Sequence, residues 1–198
     1  MTVIDDTALD VIFRNARTYI AWQDKPVEDE LLQRIYDLCK WGPTSSNCCP
    51  MRLVFVKSKE AKERLKPCLA GGNVVKVMTA PATAIIAYDM KFYELLPRLY
   101  PALPKAKDSF IGPDKEQAAF TTAFRNGTLQ GAYFIIAARA LGLDCGPMSG
   151  FDNAKVDAEF FGGTAYKSNF LCNIGYGDAA KLYPRGPRLE FNEACKVL

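Results

Sequence analysis

The chain has 198 residues, 49% hydrophobic and 12% aromatic, enough to bury one large core. Its formal net charge is +3 and the charges are scattered, so no sustained basic tract marks a nucleic-acid surface. The longest strongly apolar stretches, 81–88 and 132–138, fall well short of the roughly 20 residues of a membrane-spanning helix, and residues 1–10 lack a secretion-signal pattern. The expectation is one domain, residues 1–198, in the cytoplasm, without nucleic-acid or membrane partners.

Seven cysteines form no C-x-x-C pair, and the chain has no histidine. A disulfide framework or a metal site is therefore not expected. Without histidine, Ser-His and Cys-His nucleophile pairs are excluded, as is the side chain most suited to proton transfer near neutral pH. An enzyme of this composition calls for an organic cofactor to carry the hard chemistry.

In chain order, Leu31, Leu32, Ile35, Leu38 and Cys39 recur at helical spacing between Asp29 and Lys40, and Gly42-Pro43 follows, which predicts an amphipathic helix. Residues 52–57 are short, apolar and β-branched, as a buried strand is. A helix is predicted over 58–69 with Gly71-Gly72 as its stop, and a second inner strand over 82–88. Residues 89–112 alternate prolines and charges and predict an irregular excursion with one short helix. Residues 115–141 carry no proline and set Phe120, Phe124, Tyr133 and Phe134 among alanines, predicting a long helix buried over most of its surface. A loop over 144–151, a short helix over 152–161 and a strand over 168–176 complete the chain. Strands separated by helices predict an α+β protein of three layers, α-β-α, around a central mixed sheet.

Three segments are rich in glycine and small polar residues at the ends of elements, as ligand loops are. Thr44-Ser45-Ser46-Asn47, after Pro43, can present hydroxyls and backbone N–H groups to a polar ligand, or be a capped turn. Gly146-Pro147-Met148-Ser149-Gly150 can let a backbone approach a flat ligand, or be a tight connection. Asn73 and Lys76 would share a helix face, although solvation is the default for any lysine. Arg14, Arg17 and Thr18 near the start, with Lys181, Arg185 and Arg188 near the end, can meet one phosphate if the two ends are adjacent.

Taken together and in this order, Arg17-Thr18, Pro43 to Asn47, Asn73 with Lys76, Leu141 to Phe151 and Arg185 to Arg188 resemble the nitroreductase family over nearly the whole chain. Within it, Lys40 to Asn47, Thr122 to Asn126, Gly146 to Asp152 and Asn173 to Lys181 are most similar to the malonic semialdehyde reductases of bacterial pyrimidine breakdown. The resemblance implies FMN as cofactor, NADPH or NADH as donor, a small electrophilic acceptor, and a homodimer whose sites straddle the interface. It places Arg17 and Thr18 of the first helix, with Arg185 or Arg188, on the flavin phosphate, and Asn73 and Lys76 at the pyrimidine edge. A fixed ammonium there would stabilise the negative charge of the reduced ring. Gly146 to Gly150 would lie along the ring with the Ser149 backbone N–H at flavin N5, and Thr44 to Asn47 would come from the partner chain.

The chain also departs from the family pattern. Ala16 and Ile20 stand where basic residues are usual, Cys49 and Met51 replace a glutamine and a tryptophan, and Ser149 stands where glutamate is common. The resemblance implies hydride passing from NAD(P)H through flavin to the acceptor, with the completing proton from water or a tyrosine. Reduction of malonic semialdehyde to 3-hydroxypropionate is the finer expectation; a nitro or quinone reductase, or a flavin-binding redox sensor without efficient aldehyde turnover, are the alternatives. Arg125, among Phe120, Phe124 and alanines, is a candidate for the substrate carboxylate or for an internal salt bridge, on the expectation that it is buried.

Overall fold

A computed structural model describes residues 2–198. Asp5 caps a short helix α1 (Asp6–Leu9), and a π-helical turn, Asp10–Arg14, follows. Arg17 and Thr18 lie beyond both: Thr18 bridges in parallel to Cys145, and the Tyr19 N–H donates to the Cys145 carbonyl at 3.0 Å. The pair is thus outside the first helix, because its backbone is paired with the edge of the sheet.

Helix α2 (Asp29–Cys39) buries Leu32, Ile35 and Cys39, one stripe at helical spacing. Strand β1 (Met51–Val56) leads to α3 (Lys59–Leu65), which is capped by Ser58 and ends before Pro67 in a 3-10 turn, Lys66–Cys68. Gly71-Gly72 does not stop this helix; it opens α4 (Gly71–Thr79), because Pro67 has already ended α3 and Ala70 supplies the extended cap residue. Strand β2 (Ala82–Asp89) is buried throughout. The excursion folds as short turns around α5 (Leu96–Leu99) before the long α6 (Glu116–Ala140).

The segment 144–151 is a strand over most of its length, β3 (Asp144–Met148), and not a loop. Gly146 and Pro147 argue against a strand, but β3 lies at a sheet edge, where proline's missing N–H costs no ladder bond. A Cβ at position 146 would collide with the Tyr19 carbonyl. Helix α7 (Asn153–Phe161), capped by Asp152, strand β4 (Tyr166–Gly175) and the short α8 (Phe191–Ala194) follow.

The sheet order is β1-β2-β4-β3, and each neighbouring pair is antiparallel. The expectation of a mixed sheet is corrected: parallel pairing is limited to the Thr18–Cys145 bridge among the described residues. Two helices, not one, connect β1 to β2, so this connection is not the crossover that makes neighbours parallel.

The three layers are present. On one face α2 and α6 pack against the sheet through Leu32, Ile35, Phe134, Ala84, Ile86 and Cys172. On the other, α3, α4 and α7 pack through Leu65, Val77, Val156, Phe161, Ile85 and Leu171. Adjacent Ile85 and Ile86 enter opposite cores, as strand alternation requires; full burial of each contributes on the order of 2 kcal/mol.

Helix α6 is less buried than its composition predicts. Phe120, Phe124, Leu129 and Tyr133 are 38%, 42%, 43% and 37% exposed, two apolar pairs on different sides of the helix. Among the described residues no helix is long and apolar enough to cross a membrane.

Candidate active site

The structure brings Asn73, Lys76 and Gly150 together. Asn73 Nδ2 donates to the Gly150 carbonyl at 2.9 Å, and Lys76 Nζ donates to Asn73 Oδ1 at 3.1 Å. The amide is thereby oriented by both partners. The Ala70 N–H also donates to the Gly150 carbonyl, at 3.0 Å, and a Cβ at position 150 would stand 2.5 Å from Asn73 Nδ2. A side chain there would displace the Asn73 amide from its bond, so glycine preserves this arrangement. Lys76 is half-buried and forms no ion pair among the described residues. Ser149 is exposed, and its backbone N–H has no backbone acceptor among the described residues.

Residues remote in sequence hold this group in place. Asn173 Nδ2 donates to the Lys76 carbonyl at 2.9 Å, and Asn173 Oδ1 accepts from the Thr83 hydroxyl at 2.6 Å. Asn173 is fully buried. Its place in an apolar strand was the available signal, since a buried amide needs partners.

The two chain ends also meet. Arg185 Nη2 donates to the carbonyls of Arg14 and Ala16 at 2.9 and 3.0 Å, and Arg17 Nη2 donates to the Tyr183 carbonyl. Between them lies a cavity of about 250 Å³, lined by Ala16, Arg17, Thr18, Ile20, Arg139, Arg185 and Arg188, with residues 183, 184 and 186. Four guanidinium groups therefore surround one cavity whose lining holds no carboxylate. None of the four forms an ion pair among the described residues. Arg14, by contrast, is held by Asp6 and Asp10 at 2.7 and 2.5 Å, and Lys181 is not part of the lining. Arg139 was not singled out from sequence: at the end of a long apolar helix it reads as a cation answering the helix dipole.

The cavity and the Asn73–Lys76 pair lie at opposite ends of β3, next to Cys145 and Gly150. Five strand residues span about 16 Å. Near the start of β3 the Tyr19 phenol has its pKa raised by burial and, second, by the Asp144 carboxylate.

The Thr44 to Asn47 loop is tied elsewhere. The Ser45 N–H donates to Asn126 Oδ1 at 2.8 Å, and Asn47 Nδ2 donates to the Leu99 carbonyl at 2.8 Å. Ser46, Asn47 and Cys49 have φ of 51°, 50° and 40°, left-handed positions that non-glycine residues seldom take. Cys48 is buried against Tyr88 and Phe92, and burial pushes its thiol up to about 11, so it packs as a small hydrophobe.

Arg125 is exposed and has no ion pair among the described residues. The expectation that it is buried is corrected, because it faces outward on α6 while its neighbour Asn126 takes the inward position. No cluster of three or more His, Cys, Asp or Glu side chains suited to a metal ion occurs among the described residues.

The sequence profile of the nitroreductase family matches residues 14–176. A Burkholderia lata protein provisionally named an NADH dehydrogenase/NAD(P)H nitroreductase is 60% identical over 197 residues, 100% of both chains. A Ralstonia pickettii protein of the same provisional name, HadB, is 56% identical, covering 96% of this chain and 97% of its own. Among solved structures, a provisionally named nitroreductase of Exiguobacterium sibiricum in complex with FMN superposes with a TM-score of 0.83 at 22% identity, over 100% and 99% of the two chains. The ydfN protein of Bacillus subtilis superposes at 0.88, also at 22% identity, over 98% and 100%.

Proposed function

The chain belongs to the nitroreductase family, and on that premise we propose that it is a single-domain FMN-dependent oxidoreductase transferring hydride from NADPH or NADH to a small electrophilic acceptor. The observation that carries this reading is the carboxylate-free ring of Arg17, Arg139, Arg185 and Arg188 around one small cavity. Guanidinium groups without a carboxylate partner around one open pocket favour an anion with several oxygens. The Asn73–Lys76 pair, one strand length away, fits the other end of an extended phosphate-bearing molecule.

When bound, FMN supplies the two-electron chemistry that no side chain here can perform. Arg17, Thr18, Arg185 and Arg188 hold its phosphate. Lys76, fixed through Asn73, would supply an ammonium to stabilise the negative charge of the reduced pyrimidine edge. The unpartnered Ser149 N–H would be the donor to flavin N5, and Gly146 to Gly150 would lie along the ring. The proton that completes acceptor reduction comes from water or a tyrosine, since the chain has no histidine.

The protein acts as a homodimer in which exposed apolar side chains of α6 are covered and Thr44 to Asn47 of each subunit serves the other's site. Its seven free cysteines suit a reducing, cytoplasmic setting. For the acceptor, likeness to malonic semialdehyde reductases favours that aldehyde, with Arg125 receiving its carboxylate. The relatives' names favour nitro compounds instead. Both use one flavin site.

The test is the visible spectrum of the purified protein, followed by NADPH and NADH oxidation with each acceptor class. A yellow protein with about one noncovalent FMN per chain supports the reading, as does reductant consumption driven by an acceptor. A colourless protein that fails to take up added FMN overturns it.

A further inference from the structure

We infer that Arg139 is a phosphate ligand of the flavin site and sets its preference for phosphorylated flavin over uncharged riboflavin. The inference rests on the FMN reading above and assigns one chain-specific residue within it.

The cavity's other three arginines are partly committed to the backbone. Arg17 donates to the Tyr183 carbonyl, Arg185 to those of Arg14 and Ala16, and Arg188 Nη1 to those of Gly186 and Pro187 at 3.0 Å. Arg185 and Arg188 are exposed, so solvent screens their charge. Arg139, half-buried like Arg17, is mounted on the last turn of the 25-residue α6, and it makes one donation, from Nη1 to the Ile12 carbonyl at 3.3 Å. Its Nε is shielded from solvent and has no partner.

A half-buried guanidinium whose Nε is shielded and unpartnered favours an anionic acceptor. No carboxylate lines this cavity, so a ligand is the candidate source of that anion. Ala16 and Ile20 add no charge to the same lining, and Arg139 enters it from α6, a different element from the two chain ends. A monophosphate dianion satisfies the site; the ribityl hydroxyl of riboflavin brings no charge to it.

The test measures dissociation constants for FMN and riboflavin, by fluorescence of released flavin, in wild type, Arg139→Lys and Arg139→Met. Wild-type FMN binding tests the functional reading; the FMN-to-riboflavin ratio tests this inference. Arg139→Met is expected to weaken FMN about 10- to 100-fold and leave riboflavin within about twofold, with Arg139→Lys between. The 31P resonance of bound FMN should shift in both variants. Equal losses for both flavins would mark Arg139 as packing for residue Ile12, and an unchanged ratio would remove it from the site; either overturns the inference. Should Arg139→Met fail to fold, Arg139→Lys decides through the same ratio and the 31P shift.

Discussion

Asn173 and Lys76 are 97 residues apart, yet the Asn173 side-chain amide donates to the Lys76 backbone carbonyl at 2.9 Å. The same amide accepts from the Thr83 hydroxyl, so one buried side chain ties β4, β2 and α4 together. Asn173→Leu keeps the volume and strands two buried polar groups. It should cost about 2–4 kcal/mol, lowering the melting temperature by roughly 5–15 °C. A change within about 2 °C in calorimetry would show that the bonds are dispensable.

Lys76→Ala removes the ammonium that Asn73 orients. A charge-assisted contact of about 1.5–3 kcal/mol corresponds to roughly 30–60 mV for a two-electron couple. The bound flavin should become harder to reduce by that amount, and NADPH should reduce it more slowly. An unchanged midpoint potential would leave Lys76 a surface residue.

How much of this was legible in the sequence depends on where the signal lay. The buried runs of β1, β2 and β4 and the stripe on α2 are local patterns, and their elements formed within a few residues of expectation. Strand β3 was hidden because Gly146 and Pro147 are breakers except at an edge. Gly71-Gly72 reads as a stop until Pro67 is seen to have ended the helix. The contact of Arg185 with the Arg14 and Ala16 carbonyls joins the two chain ends, which no local period encodes. Arg139 was obscured for another reason: nothing in an Ala-Ala-Arg-Ala helix end separates a ligand from a solvated cation.

The exposed apolar side chains of α6 predict association. Phe120 with Phe124, and Leu129 with Tyr133, remain exposed on different sides of the helix, and uncovered aromatic and aliphatic side chains mark an interface. Wild-type protein should sediment as a dimer at low micromolar concentration. Leu129→Asp should shift it to monomer, with loss of FMN. A flavin-bound monomer would contradict a site shared between chains.

Burial pushes the Cys39 and Cys48 thiols up from 9.0 to about 11. For a raised folded pKa the native state holds the proton longer, so the stabilisation is complete below the unfolded value and is lost as pH rises toward the folded one. Stability should be flat in these groups below pH 9 and then fall between about 9 and 11, by about 1.4 kcal/mol per pH unit for each thiol. Chemical unfolding at pH 8, 9.5 and 10.5 measures it, and Cys39→Ala should reduce the slope. At pH 8 exposed Cys195 should react with a thiol reagent well before either. Stability that does not decline above pH 9 would show that both thiols ionise freely in the native protein.

The acceptor prediction turns on Arg125. Its outward position removes the internal salt bridge as an explanation and leaves a cation beside Phe124 on the face that a partner chain would cover. Covering that face would desolvate the guanidinium, and a substrate carboxylate would then be its counter-ion. Arg125→Met should lower kcat/KM for malonic semialdehyde about 10- to 100-fold, while turnover of an uncharged quinone barely changes. Arg98 is the rival, since it lines a separate cavity of about 820 Å³ with Arg52, Lys40 and Cys49. If Arg98→Met gives the selective loss and Arg125→Met does not, the carboxylate is bound from the 89–112 excursion. Equal losses with both acceptors in the Arg125 variant would assign that residue to the subunit interface. If wild type reduces quinones and nitro compounds but no aldehyde, the malonic semialdehyde reading fails while the flavin site stands.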